Sequence, residues 1–215
     1  MNTLIVGSGI NQVKSVKERC YAIDISQEYL DKAKKFKPNN EYILADVQKL
    51  PFKDNFFDKV IFTHVLEHVG KPTKALSEIY RVLKKGGELY LEVPTEEMEL
   101  FLSKNNKVFK KYIYTKYHNT HYNEDKLRNQ MKSYEIVSFK KTYGQYIVFW
   151  YLWGKFISSF NMEKRFYIEE CGQIHSTKFD FLAKQFSRFL FILNIISSPF
   201  VLNKIPCEYH VVARK

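Results

Sequence analysis

The chain has 215 residues, 16% of them aromatic, and a formal net charge of +11 from 34 Lys and Arg against 23 Asp and Glu. That length supports one full core with an embellishment, while the three cysteines, Cys20, Cys171 and Cys207, are too few and too scattered for a disulfide framework or a zinc site built on them and suit a reducing cytoplasm. No charged-then-apolar leader opens the chain, and the positive balance biases toward anionic partners (nucleic acid, an anionic membrane surface, an acidic substrate) or simply gives a lysine-rich solvated face.

Residues 3–6 read as the first strand, and Gly7-Ser8-Gly9 follows at once. Glycines there let backbone approach a ligand and expose amides at a helix start. Alone, such a turn is weak evidence. Residues 11–19 are a short helix or loop, and residues 20–23 form the second strand, ending in Asp24. In doubly wound sheets an acid at this point accepts hydrogen bonds from ribose hydroxyls. Ser26 can cap a helix over 27–35. Residues 42–44 are the third strand, ending at Ala45-Asp46-Val47.

Residues 58–94 are the organising stretch. Residues 59–63, KVIFT, are right for a buried parallel strand. Pro72 opens a helix on which Ala75, Leu76, Ile79, Tyr80, Val82 and Leu83 share one face. Lys84 and Lys85 suit its last turn, and Gly86-Gly87 is expected to stop it. Residues 88–93 are the next strand. A crossover this short implies a right-handed βαβ unit and a parallel sheet.

The segments LIVGSGI, YAIDISQEYLDKAKK, ILADVQKLPFKDNFFDKVIFTHVLEHV and EIYRVLKKGGELYLEVP, in this order and spacing, resemble the class I S-adenosylmethionine-dependent methyltransferases of the small-molecule subgroup. The resemblance covers roughly residues 4–93 and, more weakly, 118–140. It implies an α/β, Rossmann-like seven-stranded sheet with helices on both faces and the last strand antiparallel. It also implies S-adenosylmethionine as cofactor. Gly7, Ser8 and Gly9 would lie against its methionine part. Asp24 would hold the ribose with Ile25 beside the adenine, Asp46 with Val47 would meet the adenine edge, and Thr63 and His64 would run near the sulfonium. The chain departs from the family pattern at Ile5, where an acid is usual, at Asn11, where a third glycine is usual, and in its short first helix.

Methyl transfer from a sulfonium is an in-line displacement that needs position and dryness, and no metal. A hydroxyl acceptor benefits from a base. The candidates are His64, His118, His121 and His175, of which His64 sits at the carboxyl end of a central strand. The bland alternative for each is a packing or hydrogen-bonding residue. No Asn/Asp-Pro-Pro-aromatic turn follows the fourth strand, and no Pro-Cys pair is present to supply a nucleophile for cytosine chemistry, which lowers the odds of a nucleobase acceptor.

Residues 96–102 suggest a short helix. Residues 104–117, KNNKVFKKYIYTKY, are a basic and aromatic strip, either for nucleic acid or as cover over a sheet edge. Residues 124–131 read as a helix, 134–142 as the sixth strand and 207–214 as the last. Residues 1–142 with 207–215 make the cofactor-binding core. Residues 143–206 are an aromatic insertion expected to form a helical acceptor lid, with one helix over 179–196. Its character suits an apolar or lipid-linked acceptor, or contact with an anionic membrane. The expectation is a cytoplasmic methyltransferase acting on a small-molecule, glycan or lipid-linked acceptor, with oxygen the expected methylated atom and peripheral membrane contact as an option. An RNA methyltransferase and a non-catalytic module of the same fold are its rivals.

Overall fold

The computed structural model describes residues 1–8, 10–105, 110, 118–143 and 206–215. Seven strands form one sheet in the order β3-β2-β1-β4-β5-β7-β6, with β1 Thr3–Val6, β2 Tyr21–Asp24, β3 Glu41–Leu44, β4 Phe57–Thr63, β5 Leu83–Pro94, β6 Glu135–Tyr143 and β7 Pro206–Arg214. The β1/β2, β1/β4, β2/β3 and β4/β5 pairs are parallel. β7 runs against β5. The Lys215 N–H donates to Gly87 O at the start of β5, and the Gly86 N–H donates back to Lys215 O.

The described helices are α1 Ile10–Ser15, α2 Gln27–Phe36, α3 Pro72–Val82, α4 Glu96–Asn105 and α5 Glu124–Gln130. Side chains alternate across a strand, so β1 feeds two layers. Leu4 and Val6 join Ala75, Leu76, Ile79 and Val82 of α3 and Leu127 of α5 on one face. Ile5 and Ala22 join Val13 of α1 and Ala33 of α2 on the other. Burying Leu76, Ile79 and Val82 is worth roughly 1.5–3 kcal/mol each. The Tyr134 hydroxyl donates to Leu76 O at 2.7 Å, which fixes the segment after α5 onto α3.

α3 stops sooner than its apolar spacing suggests. Leu83 is already extended, with φ −67° and ψ 139°, and it pairs with Phe57 as the first residue of β5. Burial of Leu83 beside Phe57 outweighs one further helical turn. Lys84 therefore pairs with Asp58 at 2.7 Å and does not cap the helix. Gly86 takes a left-handed φ of +76° within β5, where the register with β4 shifts.

The contacts divide the chain into two units. One comprises Met1–Pro94, Tyr122–Lys140 and Tyr209–Lys215. The other comprises Thr95–His121 and Lys141–Glu208. Most of the expected lid, with its helix over 179–196, and most of the basic strip over 104–117 lie outside the described residues. Among the described residues, no helix is long and apolar enough to cross a membrane.

Candidate functional site

Parallel strands bring their carboxyl ends to one edge of the sheet, and the expected cofactor residues fall there. Asp24 ends β2 and lies opposite Leu44, the last residue of β3. Asp24 is 8% exposed, and its Oδ1 accepts the Ser26 N–H at 3.0 Å. The Ser26 hydroxyl in turn caps α2 by accepting the Tyr29 N–H. One carboxylate thus fixes the turn that holds it. The Ala45 N–H donates to Asp24 O, and this bond carries the β2/β3 pairing past the strand ends. Asp46 follows on the next strand tip. It is exposed, and its Oδ1 accepts the Gln48 N–H at 2.8 Å. Val47 beside it is buried.

Ile25 is 78% exposed and Leu44 56% exposed, although both are apolar. They stand next to Asp24 at the tips of adjacent strands. A buried acceptor carboxylate flanked by uncovered apolar side chains suits a nucleoside, whose sugar offers hydroxyl donors and whose base offers a flat apolar face. The sequence points to Ile25 here. It does not point to Leu44, because an apolar strand residue carries no signal of exposure until its neighbours are known.

The glycine turn works differently. Gly7 has a left-handed φ of +67°, and a Cβ there would collide with Cγ2 of Val65. The missing side chain is thus room for the turn after β4. Ser8 is buried, and its N–H is committed to Ile23 O at 3.0 Å. Gly9 lies outside the described residues. Gln12 on α1 donates through Nε2 to Thr63 O at 2.5 Å, which ties the short first helix to the end of β4.

His64 immediately follows β4 in a left-handed conformation, φ 53°. Its N–H donates to Glu92 O at 2.9 Å, so the β4/β5 ladder holds it in that conformation. Such backbone strain concentrates at functional sites. The His64 ring lies between two carboxylates: Nδ1 is 3.9 Å from Glu67 Oε1 and Nε2 is 3.9 Å from Glu92 Oε2. Glu67 is buried, and Glu92 also meets His210 Nδ1 at 2.9 Å. The His210 hydrogen bond holds the Glu92 carboxyl below the usual glutamate range, despite partial burial. Strand-tip topology makes His64 legible in the sequence. Its carboxylate partners come from a turn and from the neighbouring strand, which no spacing rule connects.

His118 and His121 belong to the other unit and gather around Glu99 of α4. His118 Nδ1 contacts Glu99 Oε1, and His121 Nδ1 lies 2.8 Å from Oε2. Glu99 is fully buried, and burial pushes its carboxyl up to about 7 against the pull of the His121 hydrogen bond. The sequence shows no ligand cluster for a metal. The fold nevertheless brings these three donor side chains together. Glu99 gives no signal in the sequence because it is one of three acids in the first turn of α4, where acids are favoured anyway. His175 lies outside the described residues.

A family profile described as a methyltransferase domain matches residues 5–91. A demethylmenaquinone methyltransferase of Protochlamydia amoebophila is 36% identical over 113 residues, covering 49% of this chain and 46% of the relative. A ubiquinone/menaquinone biosynthesis C-methyltransferase of Desulfotalea psychrophila is 34% identical over 92 residues, covering 39% of this chain and 37% of the relative. The chain spans less than half the length of these two curated relatives. Among solved structures, a SAM-dependent methyltransferase of Methanosarcina mazei superposes with a TM-score of 0.57 at 16% identity, covering 100% of this chain and 92% of that one. At that identity the likeness is one of fold.

Proposed function

We propose that this chain, whose residues 5–91 match a methyltransferase domain, transfers a methyl group from S-adenosylmethionine to a small-molecule acceptor carrying an ionisable hydroxyl. When bound, the cofactor supplies an electrophilic methyl on a sulfonium, ready for in-line displacement. Asp24 holds the ribose, Ile25 and Val47 flank the base, and Asp46 meets its edge. Gly7, Ser8 and Thr63 border the methionine end.

The observation that carries the reading is the strand edge where a buried Asp24 stands beside an uncovered Ile25 and Leu44. His64 is the base. It sits at the same strand ends, its N–H is tied to Glu92 O, and the carboxylates of Glu67 and Glu92 each lie 3.9 Å from a ring nitrogen. Proton removal by His64 turns a weak hydroxyl nucleophile into an oxyanion. His118 and His121 are less suited to this task, because Glu99 already engages both rings. The aromatic composition of residues 143–206 favours an apolar or lipid-linked acceptor.

We infer transfer to oxygen. The names of the quinone-pathway relatives favour a second outcome, transfer to a ring carbon. Both start from the same phenolate, since its charge spreads from oxygen to the ring, so the demand on His64 is the same. The test is incubation with 13C-methyl S-adenosylmethionine and a panel of phenols and quinols, read by NMR. A methoxy signal supports oxygen and a ring-methyl signal supports carbon. His64→Asn is expected to lower kcat about 100- to 10,000-fold. An unchanged kcat in that variant overturns the base assignment.

A further inference from the structure

We propose that Glu99, His118 and His121 form a site for one divalent transition ion of the zinc class. The two histidines and the carboxylate each offer a ligand atom, and these atoms lie within 4.8 Å of one another, close enough to converge on one ion. Two imidazoles and one carboxylate are a donor set that zinc and its neighbours accept, with a fourth position left to water. The charge balance also suits an ion. Glu99 is fully buried, and a buried carboxylate calls for a cation or strong donors. His118 and His121 are themselves largely shielded, so the ion would sit in a partly dry setting.

Without the ion, each ring directs Nδ1 at Glu99. To bind the ion, each ring must present a deprotonated Nδ1 and Glu99 must bind as the carboxylate; a proton on any of these atoms passes to solvent or, within a ring, to Nε2. The ligands are separated by 19 and 22 positions. The ion would therefore tie Glu99 of α4 to His118 and His121 further along the chain.

The test uses the full chain, stripped with a chelator and dialysed, in a zinc titration against a chromophoric competitor. One equivalent of Zn²⁺ is expected to bind. Its Kd should rise at least about tenfold in Glu99→Gln and in His121→Ala, since loss of a ligand exceeds the loss of an outer-shell partner. Cobalt(II) at the same site should give visible bands with no thiolate charge-transfer band, because no cysteine takes part. Failure of the unaltered chain to take up one equivalent overturns the proposal. So does undiminished binding in a variant that keeps its far-UV circular dichroism, or a thiolate band in the cobalt spectrum. If both variants fail to fold, the cobalt spectrum of the unaltered chain decides alone.

Discussion

Asp24→Asn probes the nucleoside end without dismantling it. The amide oxygen of the substituted side chain can go on accepting the Ser26 N–H, which Asp24 now binds at 3.0 Å, so the start of α2 should survive. The change is confined to charge and to the second oxygen, which becomes an amide donor facing hydroxyls that are donors themselves. A hydrogen bond to a charged partner is worth roughly 1.5–3 kcal/mol. Losing one such bond to the ribose raises Kd by about 10- to 150-fold. Burial of Asp24 places the effect toward the upper part of that range, because little water is at hand to replace the bond. Calorimetry with S-adenosylhomocysteine measures the shift, and a thermal melt confirms that the variant folds. An affinity within about twofold of the unaltered chain refutes the ribose assignment, since one lost charged bond costs far more.

Two further predictions concern the scaffold that carries the site. Gly7→Ala puts a methyl group against Val65 at a left-handed φ, so it should lower stability by about 1 kcal/mol or more and displace the turn holding His64; chemical denaturation reads the first effect and kcat the second. Glu78 is held below the usual glutamate range, chiefly by Arg81 and also by the Leu50 N–H, against the pull of burial. A depressed folded pKa stabilises above the unfolded value and loses that contribution as pH falls through the folded one. Glu78→Gln should therefore cost roughly 1–2 kcal/mol at neutral pH, and the gap should close as pH falls below ~4.3. A gap independent of pH would rule out the ionic part of that network.

Much of the strand edge is readable from residues alone. The short buried runs, the spacing of Ala75, Leu76, Ile79 and Val82, and an acid at the end of β2 follow from local periodicity and from where parallel strands finish. What escapes such reading depends on contacts between distant segments. Leu83 leaves the helix because Phe57 buries it, and that partner lies far back along the chain, at the start of β4. Gly7 reads as a ligand-facing glycine, yet Val65 accounts for its missing side chain. The left-handed His64 is set by a bond to Glu92 O, and Glu99 gains two histidine partners from 19 and 22 positions further along the chain. None of these has a signature in the residues immediately around it.

The central claim is that the tips of β1 to β4 hold an adenosyl group. Titration of the unaltered chain with S-adenosylmethionine in a calorimeter tests it most directly. One-to-one binding with a sub-millimolar Kd, accompanied by a rise in Tm at saturating cofactor, is the predicted result. Absence of both heat and a melting shift at millimolar cofactor would contradict it.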